Sequence, residues 1–311
     1  MVRLAYALGK IEMAENYRES MLKLVSQNLA AQFDHADTRT PFVLLPSLCC
    51  QACGESAERS VGVSMAWFLL QVSASLLDKV EDQELESIQF EPHDVGIVTN
   101  LTTGMVFVAQ WILNHLELDQ VDAGAAWDIQ RAFHETVLSV CSGQHLDLSV
   151  NAPDLSTCWR IAEEKSGAAF GLACYAGARL ATNRSDVLDA FQRFGRELGT
   201  IVQVDDDIED LADVSASGSP RRVDKTLIGA YMKFAASPPF TTEDAGHVAC
   251  RTQDTTQQFV RSGSILYLQL EKLKYAALAE KALTGLKLND DFHRHLVSLI
   301  HQESRIISSV N

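Results

Sequence analysis

Apolar positions recur at helical spacing along most of the chain. From Asn16 to Phe33 the residues Met21, Leu22, Leu24, Val25, Leu29 and Ala30 form one stripe and predict an amphipathic first helix. Pro41 and Pro46 bracket the next start, and the runs Leu48 to Ala52 and Val61 to Val80 predict two more helices, separated by the polar turn Gly54 to Arg59. Glu84 to Asp94 is polar and holds Pro92, so it predicts a loop before helices over Val95 to Leu116 and Ala123 to Leu148. Pro153 with the capping residues Asp154 and Ser156 opens another helix that runs to about Leu180. Its stretch Ser166 to Ala178 is rich in Gly and Ala, which means tight packing or room for a ligand.

Ser185 to Leu211 carries the stripe Phe191, Phe194, Leu198, Ile201 and Val202, and the segment Ala212 to Arg222, with Gly218 and Pro220, is expected to end it. Lys225 to Ala236 predicts a further helix, Ser237 to Ala249 a Pro/Thr-rich loop, and Gln257 to Leu283 and Asp290 to Val310 the last two helices. No segment alternates as a strand would, and no repeat is evident. The pattern predicts an all-α chain, a single domain over residues 1–311 with about ten helices.

Composition supports long helices: of seven prolines none falls in 47–91, 93–152 or 154–219. A formal net charge of −15 without a basic cluster argues against a nucleic-acid partner and is compatible with divalent-cation binding. Two uncharged runs approach membrane-span length, but Ser64, Gln71, Ser73 and Ser75 interrupt one, and Asn100, Thr102, Gln110, Asn114 and His115 the other. Both are expected as buried helices rather than transmembrane segments. The cysteines, mostly in apolar surroundings and without four-ligand zinc spacing, are expected reduced; with no basic-then-apolar leader, the expected location is cytoplasmic.

Asp78 and Asp82 lie four residues apart at the end of an apolar helix, so their carboxylates share one face; Asp206 and Asp210 repeat that spacing, with Asp205 and Asp207 adjacent. Solvated acidic residues at helix ends are the plainer reading of any one such group. Two pairs at helix spacing fit magnesium, which takes one or two carboxylates plus substrate phosphate rather than a protein cage.

Val202 to Asp210 reads VQVDDDIED and resembles the second aspartate-rich motif, FQxxDDxxD, of the trans-polyprenyl diphosphate synthases, with Gln203, Asp206, Asp207 and Asp210 in register. Gly143 to Leu148, GQHLDL, resembles that family's GQxLDL; Glu164 to Ala178 resembles its KTGxLxxxAxxxGA segment; and Asp224 to Ile228, DKTLI, resembles its downstream lysine-threonine-leucine segment. The resemblance is collinear over roughly 35–230. It implies an isoprenoid-synthase-type bundle around a central cavity, a homodimer, and an allylic prenyl diphosphate as substrate. Asp78, Asp82 and Asp206 would ligate Mg2+, Asp207 and Asp210 directly or through water. Lys165 and Lys225 would contact the diphosphate, and Gln203 would sit beside the reacting carbons. A solvated surface lysine is the alternative for each of the two.

The first motif departs from the family's HDDxxD. Leu77 replaces the histidine, Lys79 the second aspartate, and no arginine pair follows. The family's GGKRxRP stands here as HADTRTP, with Arg39 out of register, and Gln71 occupies a position where the family has histidine. A pocket for isopentenyl diphosphate loses charge-assisted hydrogen bonds worth about 1.5 to 3 kcal/mol each. Ser73 and Ala74 are small where the family stops short products. Trp67, eleven residues before Asp78, would lie on the same face roughly 16 Å down. As a floor it would suit about three to four isoprene units; as a core tryptophan it would say nothing about length. Three activities stay open: head-to-tail prenyl transfer; terpene cyclisation or prenyl transfer to another acceptor such as a peptide; and a non-catalytic partner subunit.

Overall fold

The computed structural model describes residues 1–33, 41–82, 94–217, 225–236 and 263–301, with the backbone alone described over 209–217 and at 236. The α-helices are α1 Val2–Lys10, α2 Glu15–Phe33, α3 Leu45–Ala52, α4 Val61–Glu81, α5 Val95–Leu113, α6 Ala123–Ser149, α7 Leu155–Ala162, α8 Ala168–Arg179, α9 Ser185–Ser217, α10 Leu227–Ala236, α11 Ser264–Leu283 and α12 Asp290–Ile300. No strand occurs among the described residues. The all-α expectation therefore holds.

The chain divides into two compact units. Unit 1 comprises Met1–Val137, Gly171–Gln192 and Leu283–Leu299; unit 2 comprises Leu138–Phe170, Arg193–Ala282 and Ile300–Asn311. The divisions fall inside helices, which is why no linker marks them in the sequence.

Unit 1 is organised on α4. Trp67, Phe68 and Leu69 have no solvent exposure, and each such side chain contributes about 1.5 to 3 kcal/mol on burial. The Ser73 hydroxyl donates to Leu69 O one turn back on α4 (2.7 Å), and packing of α4 on α5 brings it within 3.3 Å of Thr102 O. Close approaches are made at glycines. A Cβ on Gly177 would lie 2.2 Å from Pro46 O, so the Gly/Ala-rich stretch serves backbone packing here. Side-chain caps fix the helix starts as expected of short acidic residues: Asp94 accepts from Ile97 N at the start of α5 and Asp122 from Ala125 N at the start of α6. In unit 2, Asp154 caps α7 by accepting from Thr157 N, and its hydrogen bonds with Thr157 hold its carboxyl below the usual aspartate value.

The structure corrects several boundaries. Helix α1 was not expected, yet Leu4, Ala7 and Leu8, at helical spacing, are fully buried. Helix α9 continues to Ser217 through the segment expected as loop, because no Gly or Pro interrupts it before Gly218. Helix α5 stops at Leu113, and a 3-10 turn at Leu116–Asp119 takes over; the buried Leu116 continues the apolar pattern while the backbone tightens. Helix α11 starts at Ser264, and residues 257–262 lie outside the described residues. The helix expected over Asp290 to Val310 is seen to Ile300, with 302–311 likewise outside the description.

Two helical runs are long and apolar enough, by length and composition alone, to cross a membrane. Ala57–Glu81 has 67% of its most apolar window buried, as a core helix does, whereas Val95–Leu113 has 39%. Among the described residues α5 is covered on the side of Val98, Leu101, Met105, Val108 and Ile112, with Ile97 and Phe107 exposed on the other.

Candidate active site

Three consecutive aspartates on α9 meet three environments, because successive side chains on a helix diverge by about 100°. Asp205 is paired through both oxygens, at 2.8 Å each, with Lys272 Nζ on α11. Asp206 is exposed. Asp207 is 7% exposed and lies between Val204 and Ile208, which form a core cluster with Cys158, Leu227, Ile228, Ala230 and Leu268. Asp210 follows Asp206 by one turn on the α9 backbone, and its side chain lies outside the described residues.

Gln203 is held by a hydrogen-bonded chain. Ser166 Oγ donates to Gln203 Oε1 (2.8 Å), and Gln203 Nε2 donates to Asp207 Oδ1 (3.0 Å). The other oxygen, Asp207 Oδ2, accepts from the backbone N–H of Leu227 (2.8 Å), the first residue of α10. Close backbone contact brings Ser166 and Gln203 together. A Cβ on Gly199 would lie 2.3 Å from Ser166 O, and one on Gly167 would lie 3.2 Å from Thr200 Oγ1.

The lysines converge on one residue. Lys165 Nζ donates to Asp147 Oδ2 (3.1 Å) and Lys225 Nζ to the Asp147 main-chain carbonyl (2.5 Å). Three sequence segments, GQHLDL, EKSG and DKTLI, therefore meet at the end of α6. Lys165 sits in a π-turn, Glu163–Gly167, that joins α7 to α8; such local widenings of a helix are frequent at functional positions. Gly143 makes room for it, since a Cβ there would lie 3.1 Å from Lys165 Cγ and 3.0 Å from Glu164 Cβ. Asp147 and Ser166 were not singled out as site residues in the sequence. The signal was present, because both lie inside the motif segments that flank Lys165.

Unit 1 carries the first motif at the end of α4. Asp78 is half-buried, and Asp82 closes the helix, its backbone N–H donating to Asp78 O (2.8 Å). The pair keeps its one-turn spacing. Gln71 Oε1 is buried and has no hydrogen-bond partner. Trp67 is fully buried and its indole N–H donates to Phe42 O (3.2 Å). Ala74 is half-buried, whereas Ser73, read from the sequence as leaving a channel open, is 1% exposed within the α4–α5 contact. Arg39 lies outside the described residues.

The donors fit magnesium in kind. They are carboxylates spaced by one helical turn on α4 and on the α9 backbone. Such a set leaves most of a coordination sphere to substrate oxygens and water, as Mg2+ requires.

Comparison with known proteins identifies the family of the chain. The family model of the polyprenyl synthetases matches residues 43–225, more than half of the chain. The chain is similar in structure to a geranylgeranyl pyrophosphate synthetase from the archaeon Geoglobus acetivorans (18% identity, TM-score 0.74, 96% of this chain and 95% of that one). It is also similar to a polyprenyl synthetase from Streptomyces coelicolor A3(2) (17%, 0.72, 96% and 94%). A third similar structure is the geranylgeranyl pyrophosphate synthase of Corynebacterium glutamicum complexed with isoprenyl diphosphate and magnesium (15%, 0.65, 94% and 98%). These likenesses, at such low identity, concern the fold, and no curated protein sequence matches the chain. With the family model matched across the segment that holds both aspartate pairs and both lysines, the chain belongs to the polyprenyl synthetase family and is an enzyme of the prenyltransferase class.

Proposed function

We propose that the protein binds an allylic prenyl diphosphate, promotes departure of its diphosphate, and transfers the prenyl group head-to-tail to isopentenyl diphosphate. The observation that carries this reading is the convergence of Lys165 and Lys225 on Asp147, beside the ordered Ser166–Gln203–Asp207 chain. Two ammonium groups held at one point offer charge-assisted hydrogen bonds to a leaving group that gains negative charge as its carbon–oxygen bond breaks. The Gln203 amide, fixed at both ends, presents a dipole of set orientation where positive charge develops on carbon.

Asp78, Asp82, Asp206 and Asp210 are the residues we assign to magnesium, which when bound would neutralise diphosphate charge. Gln71 and Ala74, with Arg39 preceding them, we assign to the substrate side of α4, whereas Ser73, bonded within the α4–α5 contact, and Trp67, bonded to Phe42 O, we assign to its packing. The exposed apolar residues Ile97 and Phe107 lie on the side of α5 away from its buried stripe and suit burial against a second copy, and we propose a homodimer formed through that helix. Burial pushes the free thiols of Cys50, Cys53 and Cys158 up to about 12, which keeps them unreactive and suits a cytoplasmic setting.

A second reading is favoured by Leu77 and Lys79 in the first motif and by the missing arginine pair. It is ionisation of the same diphosphate followed by cyclisation or transfer to another acceptor, such as a peptide. Incubation with magnesium and geranyl, farnesyl or geranylgeranyl diphosphate, with and without isopentenyl diphosphate, separates the two by product analysis. An elongated diphosphate supports prenyl transfer. Hydrocarbon or alcohol formed without isopentenyl diphosphate supports the second reading. Absence of diphosphate release under every condition sinks head-to-tail transfer and cyclisation, and leaves transfer to an acceptor not supplied or a non-catalytic partner subunit.

A further inference from the structure

Asp207 stands in the aspartate motif, yet its surroundings differ from those of a metal ligand. It is 7% exposed, it is set among the apolar residues Val204, Ile208 and Leu227, and each carboxylate oxygen accepts a protein hydrogen bond. One bond goes to Gln203 on its own helix, the other to the first backbone N–H of α10. Lys225 stands two residues before that N–H, with its ammonium on the Asp147 carbonyl. A first-turn N–H has no partner within its own helix, so the carboxylate satisfies a group that burial would otherwise leave unpaired. Helix α10 is further held by packing of Leu227 and Ile228 against α9.

We infer that Asp207 is a positioning residue and not a magnesium ligand. It clamps the start of α10 to α9, and so sets the place of Lys225 at one end and the orientation of the Gln203 amide at the other. This rests on the proposed diphosphate site and deepens it, assigning metal to Asp206 and Asp210 on this helix and geometry to Asp207.

The clamp and the ligand role make opposite demands on substitution. In Asp207→Asn the amide oxygen can accept from Leu227 N–H, while its NH2 donates to a Gln203 amide turned over by 180°, whose own NH2 then donates to Ser166 Oγ. Each of these groups, Leu227 N–H, the two amides and Ser166, keeps a partner, although the charge is gone. In Asp207→Glu the charge stays, but an added methylene must fit a closed apolar site. A positioning role therefore ranks Asn above Glu. A metal ligand ranks Glu above Asn.

The test uses the full-length protein with Asp207→Asn, Asp207→Glu, Asp207→Ala and, for comparison, Asp206→Asn. Hydrogen exchange of the peptide containing Leu227, measured without ligand, should be near wild type in Asp207→Asn and faster by about tenfold or more in Asp207→Ala, as expected when a buried acceptor is removed. Equal protection in the two would overturn the clamp whatever the protein's activity. The rise in melting temperature on adding magnesium with inorganic pyrophosphate should persist in Asp207→Asn and vanish in Asp206→Asn. Loss of that rise in both would overturn the assignment of metal away from Asp207. A wild type that shows no rise would instead count against the diphosphate site itself, with the exchange result still deciding the clamp. Where turnover is measurable, Asp207→Ala and Lys225→Ala should each raise KM for the allylic diphosphate, and the double variant should be little worse than either. Strict additivity would deny that Asp207 acts through Lys225.

Discussion

Carboxylates separated by one helical turn act together only if both remain, so the two aspartate pairs are sensitive to single substitutions. Asp78→Ala and Asp206→Ala are each expected to lower turnover by at least about 100-fold with little change in melting temperature, since Asp206 is exposed and Asp78 half-buried. A rate within a few-fold of wild type, in a steady-state assay at saturating magnesium, would remove the metal assignment from that residue. Asp147 is more structural. Removing its carboxylate in Asp147→Asn loosens Lys165 while leaving the main-chain carbonyl that holds Lys225, so KM for the diphosphate should change by only about two- to tenfold. The spacing of Asp206 and Asp210 and the Lys165 motif were plain in the sequence. What the sequence could not distinguish is which of Asp205, Asp206 and Asp207 faces outward. That depends on what packs against α9, namely Lys272 on one side and Leu227 on the other.

At the scale of the element, periodicity located most helices, because burial of one stripe and avoidance of proline are written directly in residue order. It failed where the backbone departs from the α repeat without a change in residue type. The π-turn at Glu163–Gly167 contains no proline, and what marks it is the close approach of other segments, through Gly143 and Gly199, to its surface. Close contacts of this kind are testable. Gly177→Ala would place a methyl 2.2 Å from Pro46 O and should cost about 1 to 3 kcal/mol. Thermal denaturation should show it as a loss of roughly 2 to 12 °C. Gly9→Ala, with nothing within 4 Å of its Cβ, should leave the melting temperature unchanged or slightly raised. Helix α9 also carries a pH signature. Burial, reinforced by Glu163, raises the Glu197 carboxyl above its ordinary value of 4.5. The folded state then holds a proton that the unfolded state has released. Stability is lost as pH rises from the unfolded value through the folded one. Glu197→Gln should therefore raise the melting temperature at pH 7, and the gain should fade below about pH 4.5; a gain constant across that range would point to packing instead.

For the whole molecule, the proposed dimer makes its own prediction. Phe107→Glu puts a charge on the exposed side of α5, where the side chain is 64% accessible, and should leave the fold intact. Sedimentation should then show a monomer where the unaltered protein is dimeric, while an unchanged assembly would exclude that side of α5. The two compact units have a different consequence. Each is assembled from three stretches of chain, and the divisions fall within α6, α8, α9, α11 and α12 rather than in loops. No single truncation isolates either unit, and no single crossover between genes could replace one with that of a relative. Exchange of modules is closed to such a chain, which leaves point substitution as its route of change. The two aspartate motifs, one in each unit, are then free to diverge residue by residue but not to be replaced wholesale. A first motif that has Leu77 and Lys79 beside a second motif still in register is the record such a history would leave.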